Sequence, residues 1–416
     1  MKMKILHFTA FSDAEMPLWQ HLDALMTRMG EHAVVNVVTL DNVATSMSNY
    51  NHFTIGTGKS DYGRHGVVNL LGLQKKYLHI LYGFMPDIVH IHGSYNFIAS
   101  RIGLWSRKRG FPVVFSSYGG MNPDFIDAQY GIRTWKMICY QKKMVANAAA
   151  MLLTDPKEAD YLKGEKLNDR IVVISDPKTD EYTDYEEMAQ ETLALYQQVL
   201  DSDMGTKLDQ NSREAISALL HLSLAGPEER QPLCAEDILN LRSLSPKKWH
   251  DLLLYAEEQG VTNIVLDGME RAQVKVPVPD LSTISHFPPR HAKDTSPLPS
   301  QSLLGSKKKS NRFSKKIQDC SDIEKTVCFM MQNLKYHAAR HSITLRHLCD
   351  LYTVYRHEPV NDNVLDTKLH DLHLHTFARR ISQILKETVY LAEGFMPVTA
   401  IDDHGTERIR KSLVRY

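Results

Sequence analysis

The 416-residue chain is short of cysteine, has no excess charge of either sign and contains no long apolar run. Its five cysteines, Cys139, Cys234, Cys320, Cys328 and Cys349, are odd in number and lack CxxC spacing. They argue against a disulfide framework or a cysteine zinc site and suit a reducing cytoplasm. Lys plus Arg and Asp plus Glu each number 49, so the net charge is zero with His neutral. A general nucleic-acid binder would be basic overall, so no nucleic-acid partner is expected. No stretch approaches the roughly 20 apolar residues of a membrane span. The opening MKMKILHFTAF has too short an apolar run for a signal peptide, and Asp13 and Glu15 follow it. The expectation is a cytoplasmic protein without a transmembrane segment, compatible with a peripheral place at the inner membrane. No internal repeat of fixed period is present.

What is there is an alternation. Short, continuous, β-branched runs occupy Lys4–Thr9, Val34–Leu40, Ile88–His92, Val113–Ser117, Met151–Thr154 and Ile171–Ser175. Such runs suit strands buried on both faces. Helical stretches lie between them at Met16–Met29, Leu70–Phe84, Phe97–Arg109, Ile132–Ala149 and Lys157–Lys163. The βαβα order predicts an α/β domain over residues 1–178, with a parallel, Rossmann-like sheet. Residues 179–275 read as helical, with amphipathic Tyr185–Leu200, Ser212–Leu224 and Pro246–Gln259. Val261–Leu266 fits a short strand or another helix. Residues 276–318 hold Pro277, Pro279, Pro288, Pro289, Pro297 and Pro299, then a basic run from Lys307 to Lys316. Composition predicts a disordered, solvated linker there. Residues 319–416 read as a second helical domain with its own core.

Ligands of open parallel sheets bind at the carboxyl ends of the strands. That rule selects Thr9–Asp13, His92–Asn96 and Ser116–Pro123. Paired Gly119 and Gly120 allow close backbone approach, or simply a turn. His90 and His92 are assigned to opposite sides of their strand, with His92 at the strand end as the site candidate and His90 as a structural residue.

Pro86–Gly93 (PDIVHIHG) and Gly110–Pro123 (GFPVVFSSYGGMNP), with the elements that follow, resemble the acceptor domain of family-4 glycosyltransferases. The resemblance covers residues 1–178 and extends toward the Tyr185–Leu200 helix. It implies a GT-B-type domain for a sugar or lipid-linked sugar acceptor, within surface or capsular polysaccharide synthesis. The implied acceptor residues are His92, Ser94, Asn96, Tyr118, Gly119, Gly120 and Asn122. Tyr118 stands where the family has histidine, and a phenol is a poor base near neutral pH. The glycine-rich loop of the family is replaced by Phe11-Ser12-Asp13. Residues 179–416 offer no second βαβ array for a nucleotide-sugar donor. The resemblance therefore implies a degenerate catalytic site, with any donor site supplied by a second protein; no metal or other cofactor is implied. A non-catalytic scaffold in a polysaccharide assembly complex is the alternative.

Trp249–Met269 and Glu324–Ala392 are similar to the first and last helices of a nucleotidyltransferase-like family of polysaccharide loci. Between them, the linker replaces the metal-binding carboxylates of that family. Asp319-Cys320-Ser321-Asp322 is the only remnant, so a degenerate nucleotidyltransferase-like protein is a further alternative. His337 with His341, and His370, His373 and His375, lack a third ligand in sequence register for a zinc site. They read as surface or interhelical histidines.

Overall fold

The computed structural model describes residues 2–10, 17–40, 49–56, 70–124, 135–176, 182–225, 233–276, 280–287, 296–304, 307–340 and 342–414. Phe11-Ser12-Asp13, Pro277, Pro279, Pro288, Pro289 and His341 lie outside the described residues. The chain divides into two compact units, Met1–Leu200 and Asp201–Tyr416.

Unit 1 is built on seven parallel strands: β1 Lys4–Thr9, β2 Val34–Thr39, β3 Asn51–Thr54, β4 Ile88–His92, β5 Val113–Ser116, β6 Ala150–Leu153 and β7 Ile171–Val173. Their order is β3-β2-β1-β4-β5-β6-β7, so the order reverses between β1 and β4, as in doubly wound folds. The helices are α1 Pro17–His32, α2 Leu70–Phe84, α3 Phe97–Arg107, α4 Lys142–Asn147, α5 Pro156–Gly164 and α6 Tyr182–Leu200. Strand β3 was not foreseen; its NHFT sequence is polar and it lies at the sheet edge. A π-helical turn, Met137–Gln141, precedes α4 where a continuous helix is expected. Helix α6 lies in unit 1 and packs along α1, which carries the unit past the expected boundary at residue 178.

The two faces of the sheet differ in chemistry. Leu6, Phe8, Val89, Ile91, Val113, Phe115, Met151 and Leu153 join one apolar core with Tyr77, Leu81, Ile98, Ile102 and Leu162. Alternate residues of the same strands point to the opposite face. Those residues include His7, Thr9, His90, His92 and Ser116, all buried. The polar set therefore lies along the carboxyl halves of β1, β4 and β5.

Unit 2 carries only helices among its described residues: α7 Gln210–Leu224, α8 Ala235–Ser243, α9 Pro246–Glu258, α10 Thr262–Arg271, α11 Lys307–Lys316, α12 Asp322–Ala338, α13 Leu345–His357, α14 Asp362–Asp371, α15 His375–Val389 and α16 His404–Val414, with short 3-10 turns. Trp249, Leu252, Leu253, Met331, Leu334, Leu348, Tyr352, Ile381 and Leu385 share its core. Side-chain caps at Ser245, Ser321 and Thr344 begin α9, α12 and α13. Val261–Leu266 resolves as the start of α10, not a strand.

The described part of the expected disordered linker is packed. Asn333, itself buried, donates to the carbonyls of Pro299 and Ser302 and accepts from the Leu304 amide. The Leu298 amide donates to Asp350 at 2.8 Å. Helix α11 buries Phe313 against Phe329 and leaves its lysines in solvent. Composition misled here because one buried amide side chain and a few apolar anchors order a segment that is polar on average.

Candidate functional site

Strands β1, β4 and β5 deliver their side chains to one connected polar network. His7 Nδ1 and His92 Nε2 are 2.8 Å apart. His92 Nδ1 reaches the Tyr118 hydroxyl at 2.9 Å. His90 pairs with the Tyr196 hydroxyl at 2.6 Å and with Ser116 Oγ at 2.8 Å. The two hydrogen-bonded chains lie side by side, with the His90 and His92 ring centroids 4.0 Å apart. His7 Nε2 has no partner among the described residues.

His90 and His92 thus share a face. The expectation of opposite faces is corrected by strand geometry, since residues two apart point the same way. His7 belongs to the same cluster because the parallel register sets it beside His90. A histidine inside the apolar run KILHFT was the available signal for it.

Burial sets the protonation of this network. It lowers the pKa of His7 to about 3. Burial, then the neighbouring imidazoles, hold His90 and His92 well below the usual histidine value. Burial and then Asp176 raise the Tyr118 phenol. The array is neutral near pH 7, with donors and acceptors but no buried charge.

His7, His90 and His92 each bring a nitrogen within 4.8 Å of the others, as Glu31, His32 and Glu186 do with their own ligand atoms elsewhere in unit 1. The rings of His7 and His92 are nearly parallel, at 13°, with centroids 5.1 Å apart. Together with the 2.8 Å nitrogen separation, this places the two rings edge to edge. Their nitrogens face each other as hydrogen-bond partners, whereas zinc needs lone pairs converging on a point about 2.0–2.1 Å from each.

Tyr118 is partly exposed, with its hydroxyl turned inward to His92, and its loop holds unusual backbone angles. Tyr118 and Gly119 have φ of +50° and +72°, and Gly93 and Tyr95 in the facing loop have +88° and +56°. Such values are uncommon for a bulky residue and need support from the surroundings. For Tyr95 the support comes from the π-turn. Gln141 accepts the Tyr95 amide at 2.8 Å, and the Tyr140 hydroxyl donates to the Tyr95 carbonyl at 2.8 Å. For the Tyr118 loop it is Glu158. Its buried carboxylate accepts the Gly119 amide at 3.2 Å and the Met121 amide at 2.7 Å. Gly120 is forced by packing, since a Cβ there would lie 1.7 Å from Ser94 Oγ.

The expected site residues therefore separate into two groups. Tyr118, Gly119 and Asn122 line an open depression with Asp124. His21 and Tyr185 stand beside it; His21 meets the Tyr118 ring edge-on, and its Nε2 is 3.8 Å from Asp176. His92 and Gly120 are buried, and Ser94 and Asn96 are partly exposed in the facing loop. His92 is fully buried, and Ser94 donates to the Ser117 carbonyl at 3.4 Å. Asn96 caps α3 by accepting the Ala99 amide. Glu158, Gln141 and His21 were missed, because they come from distant helices that carry no local motif.

No family model matches the chain, and no curated protein sequence matches it. Among solved structures it is similar to UDP-N-acetylglucosamine 2-epimerase from Rickettsia bellii, at 13% identity and a TM-score of 0.33. That similarity covers 60% of this chain and 67% of the epimerase chain. Among the described residues, no helix is long and apolar enough to cross a membrane.

Proposed function

We propose that unit 1 is a glycosyltransferase-like acceptor domain that binds a sugar, free or lipid-linked, in the depression at Tyr118, and that it serves surface-polysaccharide synthesis without catalysing transfer alone. The observation that carries this reading is the neutral network ending at the Tyr118 hydroxyl. A polyol ligand offers many neutral hydroxyls and no charge. The fixed, uncharged donors and acceptors of the network suit it, and among the described residues lining the depression none is basic and Asp124 brings the one carboxylate. The position at the carboxyl ends of β4 and β5, beside the reversal of strand order, is where such sheets bind ligands.

The same network speaks against a base at this point. Burial and Asp176 keep the Tyr118 phenol protonated near neutral pH. His92 is neutral but fully buried, so substrate would reach it only through Tyr118. The helical character of the described residues of unit 2 supports a donor site supplied by a second protein, or a purely scaffolding role.

Calorimetric titration tests the reading. Glycan fragments of a surface polysaccharide should bind the full chain, and Tyr118→Phe should weaken them at least about tenfold. Uridine-diphosphate sugars should give no heat with the chain alone. Glycan binding unchanged by Tyr118→Phe, or saturable uridine-diphosphate-sugar binding by the chain alone, would overturn it.

A further inference from the structure

The α14–α15 corner of unit 2 supplies what the sequence pattern of histidines lacked, a third ligand in register. Asp366 and His370 are one helical turn apart on α14 and share a face. The helix ends in a tight, doubly bonded turn: the His373 amide donates to the His370 carbonyl at 3.0 Å, and the Leu374 amide to the Leu369 carbonyl at 2.8 Å. His373 takes the left-handed conformation that this ending needs, at φ +56°. Buried Leu365, Leu369, Leu374 and Ala378 anchor both helices beneath the corner. The turn is therefore rigid, and it folds His375, the first residue of α15, back over the last turn of α14.

The result is a compact His-His-Asp set. His375 Nε2 lies 3.0 Å from Asp366 Oδ1. The His370 and His375 rings are stacked, with centroids 3.7 Å and planes 22° apart, so a shared metal needs the His370 ring to turn. One ligand atom from each of the three residues falls within 4.8 Å of the others. His370 is exposed and the other two are half-buried, so the set opens to solvent on one side. The exposed His370 ring can turn about its side-chain bonds without disturbing the core. Lys368, the nearest cation along the helix, is engaged by Asp319 at 2.8 Å.

We propose that Asp366, His370 and His375 form a zinc site that clamps the α14–α15 corner, with three protein ligands and one position left to solvent. Two imidazoles and one carboxylate are a ligand set that zinc takes in four-coordinate sites with an open position. Nitrogen donors favour zinc over magnesium or calcium, which prefer all-oxygen shells. The single carboxylate offsets one of the two metal charges.

The test uses the full chain, prepared without a histidine tag and stripped with a chelator, titrated with zinc against a chromophoric competitor. One equivalent should bind, and zinc should raise the melting temperature of the chain. Asp366→Asn, nearly isosteric, and His370→Ala, at an exposed position, should each weaken binding at least about tenfold while far-ultraviolet circular dichroism stays native. Substituted cobalt should show a visible spectrum in the native chain that both variants lose. Failure of the native chain to bind one equivalent would overturn the proposal. So would variants that bind zinc as the native chain does, since the metal would then sit on other residues.

Discussion

The Tyr118 hydroxyl lies 2.9 Å from Nδ1 of His92, a ring with no exposed surface. The contact joins the only partly exposed member of the network to its buried interior. Tyr118→Phe keeps the ring and removes the link. Nδ1 of His92 then loses its partner inside the protein, which should cost about 1–3 kcal/mol. Amide exchange along β4 reads unit 1 separately from unit 2, and those amides should exchange faster by the corresponding factor. Unaltered exchange would mean that the hydroxyl supports nothing beneath it.

The buried histidines make unit 1 sensitive to acid. His7 has its pKa lowered from 6.5 to about 3, so the native state takes up its proton later than the unfolded chain does. The stability it contributes is fully present above about pH 6.5 and is lost as pH falls toward 3, at about 1.4 kcal/mol per pH unit. His90 and His92 are displaced in the same direction and add to the slope. Urea unfolding between pH 5 and 7, with β4 amide exchange as the readout for unit 1, should show stability falling steadily with pH. His7→Asn should remove one proton from that slope, whatever it does to the absolute stability. An identical slope in the variant would show that His7 does not titrate on unfolding.

Much of unit 1 was legible in the sequence. A strand buried on both faces must be largely apolar, so the five inner strands stand out as continuous runs, and edge strand β7, only partly buried, stands out through its β-branched Ile171-Val172-Val173. Edge strand β3 has no such requirement and left no mark. The site was legible as loops but not as a network. Parallel register put His7 beside His90, and register is a relation between segments about 80 residues apart. Glu158 and Gln141 act on loops that precede them by tens of residues, through backbone amides that any sequence would offer. Asn96 illustrates the converse. It was expected among the ligand-binding residues through the family resemblance, and its side chain caps α3, a role that the position before a helix also explains.

Glu158 is the main support of the Tyr118 loop. Its carboxylate accepts the Gly119 and Met121 amides, and the second of these is buried. Glu158→Ala leaves both amides without their acceptor and should destabilise unit 1 by about 2–4 kcal/mol. Glu158→Gln keeps one carbonyl oxygen in place and should cost about half as much. Exchange of the Gly119 and Met121 amides should accelerate in both variants, more in Ala than in Gln. Equal protection of these two amides in Glu158→Ala and in the parent would assign the support of the loop to other contacts.

Gly120 and Ser94 make a test of the packing between the two loops. A Cβ at Gly120 would stand 1.7 Å from Ser94 Oγ, 2.9 Å from Ser94 Cβ and 3.0 Å from the Ser117 carbonyl oxygen. Rotating the Ser94 side chain moves Oγ away but leaves Cβ where it is. Gly120→Ala should therefore destabilise unit 1 by about 1–3 kcal/mol, as overpacking does. Ser94→Ala should not rescue it, because the offending Cβ remains. Ser94→Gly should recover much of the loss, leaving only the contact with the Ser117 carbonyl. A double-mutant cycle separates these outcomes, since residues in direct contact give coupling energies well outside the error of additivity. Additive effects of Gly120→Ala and Ser94→Gly would show that the two loops are not packed as closely as the geometry requires.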